Sequence, residues 1–297
     1  IHITVQDGEE LSCDKYYASC GYSTTRGVIN LNLRDNVPPP KTSEEQVDAH
    51  LLGLALVNMY NIKKGQELFG ERADAAVQKE IKEIDNFQTY EPLHAKDLTW
   101  EEKRKALEAL FFLTEKCDGR IKGRKVAVGS KQRTYDGYEK SDGSSPTVTN
   151  DSIVLTGVVD ARERRDVATM DIGSAYLSAK NDEWVVMVLR GKLAEMTCRV
   201  NPKLYRPYVQ YSAKGTPMLY VRLTKALYGM LRAALLFYKK LRADLEDMGF
   251  EVNPYDPCVA NKMIKGNQCT ICWRVDDLKI SHVNKRVVTQ VCDAISK

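Results

Sequence analysis

The sequence predicts an α+β fold in a chain of ordinary globular composition. The chain has 297 residues, of which 43% are hydrophobic and 28% are charged. Segments with helical periodicity and segments with strand periodicity follow one another irregularly, and no internal repeat is found. Such an order favours an antiparallel sheet with packed helices over a doubly wound parallel sheet. The longest apolar stretch, Leu51–Val57, is far shorter than a membrane span, so no membrane partner is expected.

The first 65 residues are predicted to be an upstream region of unknown role. Val37–Pro40 contains three prolines and is interpreted as a linker, whereas Ser43–Asn58 is predicted to be a helix. Because the chain starts at Ile1 and shows no secretory signal, we expect a piece of a longer intracellular protein. Its eight cysteines are therefore expected to be reduced thiols.

Helices are predicted where apolar residues recur at helical spacing. Glu71–Phe87 has apolar residues on one face and charged residues on the other. Further helices are predicted over Trp100–Phe112, Val148–Val159, Leu223–Met248 and Val287–Ile295. The segment Val148–Val159 is expected to be buried, and Leu223–Met248 is expected to be the longest helix, closed by Gly249.

Strands are predicted from short runs of apolar and β-branched residues. Arg120–Ser130 is expected to form a strand pair. Single strands are predicted at Val167–Ile172, Trp184–Leu189, Cys258–Ile264, Gln268–Arg274 and Leu278–Ser281. The residues Lys265-Gly266-Asn267 are predicted to form a hairpin turn.

Positive charge is concentrated in one segment. Between Lys103 and Lys140 the chain has eleven Lys/Arg residues and five acids, a local charge of +6, in a chain whose net charge is +4. Such a cationic belt suits phosphate binding. The alternative interpretation is a solvated charged surface without a ligand.

Three aspartates are the strongest candidates for chemistry. Asp276 and Asp277 are adjacent carboxylates between apolar runs, where they repel each other and lose hydration unless a divalent cation compensates. Asp171 ends another predicted strand. The alternatives are an exposed acidic turn for the pair and a structural aspartate or a helix cap for Asp171. Carboxylates from two neighbouring strands can together hold two Mg²⁺ ions about 4 Å apart for phosphoryl transfer.

Four blocks follow one another along the chain: Asp171–Leu177, Lys225–Leu241, Asp256–Val259 and Arg274–Asp277. In order and spacing they resemble the reverse transcriptase of copia-type long-terminal-repeat retrotransposons, over about residues 71–297. The resemblance implies a right-hand fold with fingers at 66–166 and a palm at 167–297. The expected thumb is missing or truncated, because the chain ends soon after Asp277.

The resemblance also assigns roles to single residues. Metal binding and catalysis are assigned to Asp171, Asp276 and Asp277. Nucleotide binding is assigned to Lys116, Lys122, Arg124, Tyr176 and Arg232, and nucleic-acid binding to Tyr228, Gly229 and Arg274. Tyr176 matches the aromatic residue that rejects a 2′-hydroxyl, and Arg124 matches a residue that holds the triphosphate.

The implied activity is RNA-directed DNA polymerisation, which adds deoxynucleoside triphosphates to a primer 3′-hydroxyl with two Mg²⁺ ions. The implied partners are an RNA template, a DNA primer–template and the remaining domains of a pol polyprotein, namely ribonuclease H, integrase and protease. None of those domains is recognisable in this chain, although residues 1–65 would fit the tail of an integrase region. Cytoplasmic particles and the nucleus are the implied locations.

Several residues depart from the family pattern. Arg232-Ala233-Ala234 stands where Gln-Ala-Pro is usual, and Arg274 replaces an aromatic residue beside the Asp-Asp pair. These departures favour a second hypothesis, a catalytically inactive retrotransposon remnant that only binds nucleic acid. A third hypothesis is another palm-type nucleotidyltransferase that does not depend on a template.

Overall fold

Residues 59–116, 118–135 and 143–296 are described by a computed structural model, together with four short strands nearer the N-terminus. The chain divides into two compact units, Ile1–Met59 and Tyr60–Lys297. In the first unit two antiparallel pairs are formed by β1 (His2–Thr4) with β2 (Glu10–Ser12) and by β3 (Ser23–Thr25) with β4 (Val28–Asn30). The linker and the helix predicted between residues 37 and 58 lie outside the described residues.

Beyond residue 58, helices and strands follow one another in an irregular order. The helices are α1 (Ile62–Phe69), α2 (Glu71–Asn86), α3 (Trp100–Lys105), α4 (Asn150–Arg162), α5 (Ala175–Ser178), α6 (Lys192–Val200), α7 (Pro202–Tyr205), α8 (Ala233–Asp247) and α9 (Lys285–Ile295). The strands are β5 (Met59–Asn61), β6 (Tyr90–Leu93), β7 (Leu107–Glu115), β8 (Ile121–Ala127), β9 (Asp166–Asp171), β10 (Val186–Arg190), β11 (Gln210–Tyr211), β12 (Pro217–Leu223), β13 (Glu251–Val252), β14 (Val259–Ile264), β15 (Asn267–Arg274) and β16 (Asp277–His282). The mixed helix and strand content that the sequence predicts is confirmed.

A seven-stranded sheet has the order β11-β12-β10-β7-β5, with β6 paired to β12 and β8 paired to β7. The pairing of β7 with β10 is parallel, whereas β7 and β8 form an antiparallel hairpin. Helix α2 covers β8 with its buried face, which consists of Ala73, Ala76, Val77, Ile81 and Ile84. This amphipathic helix was predicted from the sequence with the same buried residues.

A five-stranded antiparallel sheet has the order β13-β14-β15-β16-β9. The two-residue turn Lys265-Gly266, in which both residues have positive φ, joins β14 to β15, so Asn267 belongs to the strand rather than to the predicted turn. Helix α9 packs on β9 and β16. Strand β9 is an edge of this sheet and carries Asp171 at its end, beside the hairpin of β15 and β16.

Two helix predictions were wrong in extent. The helix predicted at Trp100–Phe112 ends at Lys105, and β7 follows, because pairing with β8 and β10 outweighs the local helical spacing. The helix predicted at Leu223–Met248 begins only at Ala233. Leu223 ends β12, and the loop that follows contains Gly229 at φ 88°, a conformation incompatible with an α-helix.

Three further predictions need correction. Arg120–Ser130 holds one strand, β8, whose partner is β7, and a 3₁₀-helix begins at Gly129. The segment predicted as a buried helix at Val148–Val159 is helical as α4, but only Asp160 of that helix is buried. Helix α2 is one residue longer than α8, so α8 is not the longest helix of the described residues.

An apolar core runs between the two sheets and their helices. It includes Leu107 and Leu189 of the larger sheet, Ile271 and Ile280 of the smaller sheet, and Phe237 of α8. No helix within the described ranges is long and apolar enough to cross a membrane. This shared core holds the two sheets together within one unit, and it thereby fixes the positions of the residues that the sheets carry.

Candidate catalytic site

Strand pairing brings the three aspartates to one end of the five-stranded sheet. Asp171, the last residue of β9, lies directly opposite Asp277, the first residue of β16. Asp276 occupies the turn before β16, and its carbonyl oxygen accepts a hydrogen bond of 2.9 Å from the backbone N–H of Ile172. Residues separated by about a hundred positions in the sequence are therefore neighbours across a strand pair.

The turn between β15 and β16 has a strained backbone. Arg274 pairs with Asp277, so Val275 and Asp276 form the turn, and Val275 has φ 57°. A β-branched residue in this left-handed region costs free energy, on the order of 1–3 kcal/mol. Strain of this kind is concentrated at functional sites, where the surrounding fold holds the residue in place.

The side chains of Asp171 and Asp277 share one face of the sheet. Directly opposed residues of an antiparallel pair project to the same side, and so do residues two positions along. Thr169 and Lys279 therefore lie on this face as well. The two aspartates, Arg274 and Ile153 line a cleft of about 400 Å³ between the sheet and α4.

The donor set suits Mg²⁺ in chemistry, although the ligands are not preassembled. None of the three aspartate side chains forms an ion pair or a side-chain hydrogen bond with the described residues, so their negative charge is uncompensated. Within the same ranges, no three His, Cys, Asp or Glu side chains converge as a ready-made metal site. Asp276 lies in the turn and Asp277 begins the strand, and like charges repel when no cation lies between them. Carboxylate oxygens are the ligands that Mg²⁺ prefers.

The loop after Asp171 is held by a residue that sequence reasoning missed. Ser174 has φ 54°, immediately before α5, and its hydroxyl donates a hydrogen bond to the carboxylate of Glu83 in α2. The sequence predicts a charged outer face for α2, and nothing in the spacing of Glu83 indicates a distant partner. This contact ties the Asp171 loop to the helix that covers β8.

Tyr176, in α5, belongs to an aromatic cluster that reaches Arg124 of β8. Its ring centroid lies 4.6 Å from that of Tyr228, and the guanidinium of Arg124 lies 4.9 Å from the centre of the Tyr228 ring. Burial and, secondly, the negative charge of Asp276 raise the pKa of Tyr176, while Arg124 partly offsets this rise. The structure thus brings Arg124, Tyr228 and Tyr176 next to the Asp276 carboxylate.

Gly229 and Gly129 allow a close backbone contact next to this aromatic cluster. A Cβ at either position would overlap backbone atoms of the other loop: Ala127 O in the case of Gly229, and Gly229 O in the case of Gly129. The Ala127 N–H donates a hydrogen bond of 2.8 Å to the Tyr228 carbonyl. The described contacts of Gly229 therefore give it a backbone packing role, and nucleic-acid binding by Gly229 and Tyr228 stays a prediction.

Lys116 and Lys122 lie together in a second cleft of about 320 Å³, between α2 and the β7–β8 hairpin. Glu80 and Glu83 share this cleft. Burial raises the pKa of Glu80, and the charges of Lys122 and Arg124 act against that rise. The carboxylates partly compensate the cationic side chains that were predicted to bind the nucleotide.

Lys125 does not contribute to the cationic belt, because its side chain is buried. It has no exposed surface, its Nζ has no hydrogen-bond partner among the described residues, and it lies 4.4 Å from the centre of the Tyr90 ring. Burial lowers the pKa of Lys125 to about 7, against the opposing effect of Glu80. The sequence counted this lysine as a surface charge, and the alternation along β8 places it in the core.

Arg232 is engaged by acidic residues. Its Nη1 lies 2.6 Å from Glu183 Oε1 and 3.4 Å from Asp182 Oδ1, and these two acids precede β10. Nucleotide binding by Arg232 stays a prediction, since such binding requires competition with these two carboxylates. Arg274, by contrast, is exposed at the mouth of the cleft that contains Asp171.

Comparison with known proteins gives a family. A model of the family described as reverse transcriptase (RNA-dependent DNA polymerase) matches residues 98–297, which is more than half of the chain. No curated protein matches the chain. The matched range contains the paired aspartates, the aromatic cluster and the β7–β8 hairpin described above. The chain therefore belongs to the reverse transcriptase (RNA-dependent DNA polymerase) family.

Proposed function

We propose that this chain is the fingers and palm portion of a copia-type retrotransposon reverse transcriptase. It would extend a primer 3′-hydroxyl with deoxynucleoside triphosphates on an RNA or DNA template. The observation that carries this proposal is the pairing of Asp171 with Asp277, with Asp276 in the adjoining turn. The family match and the order of the four sequence blocks support the assignment.

The proposed palm, 167–297, contributes the carboxylates, and the proposed fingers, 66–166, contribute the cations. Asp171, Asp276 and Asp277 would hold two Mg²⁺ ions, which lower the pKa of an attacking hydroxyl and neutralise charge on a pyrophosphate leaving group. The chain itself supplies the strand register that keeps Asp171 opposite Asp277. Because the sheet fixes this register, the backbone positions of Asp171 and Asp277 are already set, and the carboxylate side chains would have to converge when the ions bind.

Nucleotide recognition would use the residues that flank these carboxylates. Arg124 and Lys122 would attract the triphosphate, with Lys116 as a further cation in the neighbouring cleft. The Tyr176 ring would lie under the sugar and exclude a 2′-hydroxyl by steric overlap. Its position beside Asp276 and Tyr228 supports this role.

The partners proposed for the complete protein follow from its family. They are the template, the primer–template duplex and the ribonuclease H, integrase and protease portions of a pol polyprotein. The proposed locations are cytoplasmic particles and the nucleus. Residues 1–65 would then belong to the region upstream of the polymerase.

A second candidate function is nucleic-acid binding without catalysis. Arg232 favours it, since an arginine held by Glu183 and Asp182 occupies the position where the family has a nucleotide-contacting glutamine. Arg274 at the mouth of the Asp171 cleft also favours it, because an added cation attracts a phosphate backbone. In this case the duplex binds in a salt-dependent way and no nucleotide is added.

The test is primer extension by the Asp171→Asn variant, with Mg²⁺, all four deoxynucleoside triphosphates and an RNA or a DNA template. We expect the incorporation rate to fall by about a hundredfold or more, because a metal-binding carboxylate is lost. Asp166→Asn is the matched control, since Asp166 is exposed at the opposite end of the same strand.

The outcomes separate the candidate functions. Extension by the wild type and by Asp166→Asn, together with its loss in Asp171→Asn, supports the polymerase. Duplex binding by the wild type without any extension supports the binding function instead. Extension that persists in Asp171→Asn contradicts the metal role of Asp171, and extension without a template points to another nucleotidyltransferase.

A further inference from the structure

Helix α4 presents its apolar side chains to the outside and its polar side chains to the protein. Val154, Leu155 and Val158 are 66%, 65% and 59% exposed. Towards the sheet, Thr156 and Asp160 accept hydrogen bonds of 2.9 and 2.7 Å from the ammonium of Lys279. This arrangement is the reverse of that in an ordinary surface helix, whose apolar face is turned to the core.

The outward face of α4 carries opposite charges at its two ends. Asp151 lies in the first turn and Arg162 in the last, and both are exposed. Neither forms an ion pair with another described residue. Residues 151, 154, 158 and 162 are spaced by three or four positions, so they form one stripe along the helix. The stripe begins with an acid, continues with two valines and ends with a base.

This stripe is complementary to itself when the helix direction is reversed. In an antiparallel pair related by a twofold axis near Thr156 and Gly157, Val154 lies opposite Val158 of a second copy. The same axis places Asp151 beside Arg162 of the second copy, twice in each pair. A twofold interface uses the same patch on both copies and therefore requires this kind of self-complementarity.

We propose that α4 is the contact surface of a homodimer, in which the two α4 helices pack antiparallel through Val154, Leu155 and Val158. The charge order selects a second copy as the occupant, because an antiparallel arrangement satisfies both charged ends and opposes the two helix dipoles favourably. This inference is independent of the proposed function.

The dimer is expected to be weak. A helix of 13 residues offers a small contact, at the low end of specific protein interfaces. Exposed ion pairs contribute little each, so the valines and the leucine supply most of the affinity. We therefore expect monomer and dimer to exchange within the concentration range accessible to sedimentation velocity.

The test is sedimentation velocity of the 297-residue chain, without nucleic acid, over a wide range of concentration. The single variants Asp151→Arg and Arg162→Asp place like charges opposite each other in a homodimer, and we expect each to weaken self-association about tenfold or more. Mixing the two variants restores opposite charges at both contacts, so a heterodimer forms with about the wild-type affinity. Restoration by mixing also shows that each variant is folded.

An apolar variant and a matched control complete the design. Val154→Arg should abolish dimerisation, whereas Met263→Arg, at an equally exposed apolar residue of β14, should leave it unchanged. A wild-type chain that remains monomeric at every concentration overturns the proposal. A dimer that persists unchanged in Val154→Arg and in both single charge variants overturns it as well, since the contact must then lie elsewhere.

Discussion

Two residues of this site have backbone conformations that are unfavourable for their residue types. Val275 and Ser174 both have positive φ without being glycine, and they flank the two strand ends that carry the aspartates. Val275 is held by the pairing of Arg274 with Asp277 across the hairpin turn, and Ser174 is held by a tertiary hydrogen bond to Glu83. The backbone free energy stored at these positions is offset by the packed sheets around them.

Tyr228 is expected to position Arg124, in addition to the nucleic-acid contact that is predicted for it. If the proposed function holds, Tyr228→Leu should raise the KM for deoxynucleoside triphosphates about two- to fivefold, because the cation–π contact with Arg124 is lost. Steady-state primer extension measures this change, and kcat should fall less than KM rises. Tyr228→Phe keeps the aromatic face and should resemble the wild type; an equal loss in both variants contradicts the positioning role.

At the scale of elements, one buried carboxylate fastens α4 to the five-stranded sheet. Asp256 is 2% exposed, and it accepts hydrogen bonds of 2.9 Å from the backbone N–H groups of Thr149 and Cys258 and from the Thr149 hydroxyl. Burial alone would raise the pKa of Asp256, but hydrogen bonds from Ser152, Thr149 and Cys258 together lower it. The start of α4 is thereby joined to the start of β14.

Removal of this carboxylate should destabilise the protein. We expect Asp256→Ala to lower the free energy of unfolding by about 2–4 kcal/mol, because buried N–H groups lose their acceptor. Since the folded state lowers the pKa, the carboxylate stabilises the fold above its unfolded pKa of about 3.9, and this contribution disappears as the pH falls through the folded value. Urea unfolding near neutral and at acid pH measures both effects.

The control for this prediction is Asp293→Asn, which changes an exposed aspartate of α9. It should leave the unfolding free energy within about 0.5 kcal/mol of the wild type. A difference between wild type and Asp256→Ala that stays constant as the pH falls would show that the contact does not depend on the charged carboxylate.

At the scale of the whole molecule, charge is distributed in a way that suits a polyanion. The net charge is +4, but the segment 103–140 carries +6. Lys125 must be removed from this surface charge because it is buried, whereas Lys122 and Arg124 are exposed. Helix α9 lies outside this positively charged segment, and it packs against the five-stranded sheet through Val287, Val288 and Val291.

Duplex binding should therefore weaken steeply as the salt concentration rises. The logarithm of the association constant decreases linearly with the logarithm of the salt concentration. This negative slope should become shallower by about 1 in Lys122→Ala if this lysine neutralises one phosphate. Fluorescence anisotropy with a labelled primer–template duplex over a salt series measures the slope. Lys285→Ala, which removes an exposed charge at the start of α9, is the matched control and should keep the wild-type slope. An unchanged slope in Lys122→Ala would place this lysine outside the phosphate contacts.

Much of the local structure could be predicted because it depends on short-range patterns. The buried face of α2, the strands β14 to β16 and the glycine that follows α8 all come from periodicity and turn chemistry. The boundary between α3 and β7 could not be predicted, because pairing with two distant strands decided it. The start of α8 could not be predicted for a similar reason, because Leu223 belongs to β12 and pairs with Tyr90 of β6.

The sequence alone determined the family resemblance, the three aspartates and the excess of positive charge, because residue types and their order are enough for these. Only the tertiary structure decided that Asp171 lies opposite Asp277, that Glu83 holds the loop beside them, that Lys125 is buried and that α4 turns its apolar side outward. The physical reason is that strand register and burial are properties of contacts between distant segments. In α4 and at Lys125 of β8, the local period does not encode which of the two faces a neighbouring element covers.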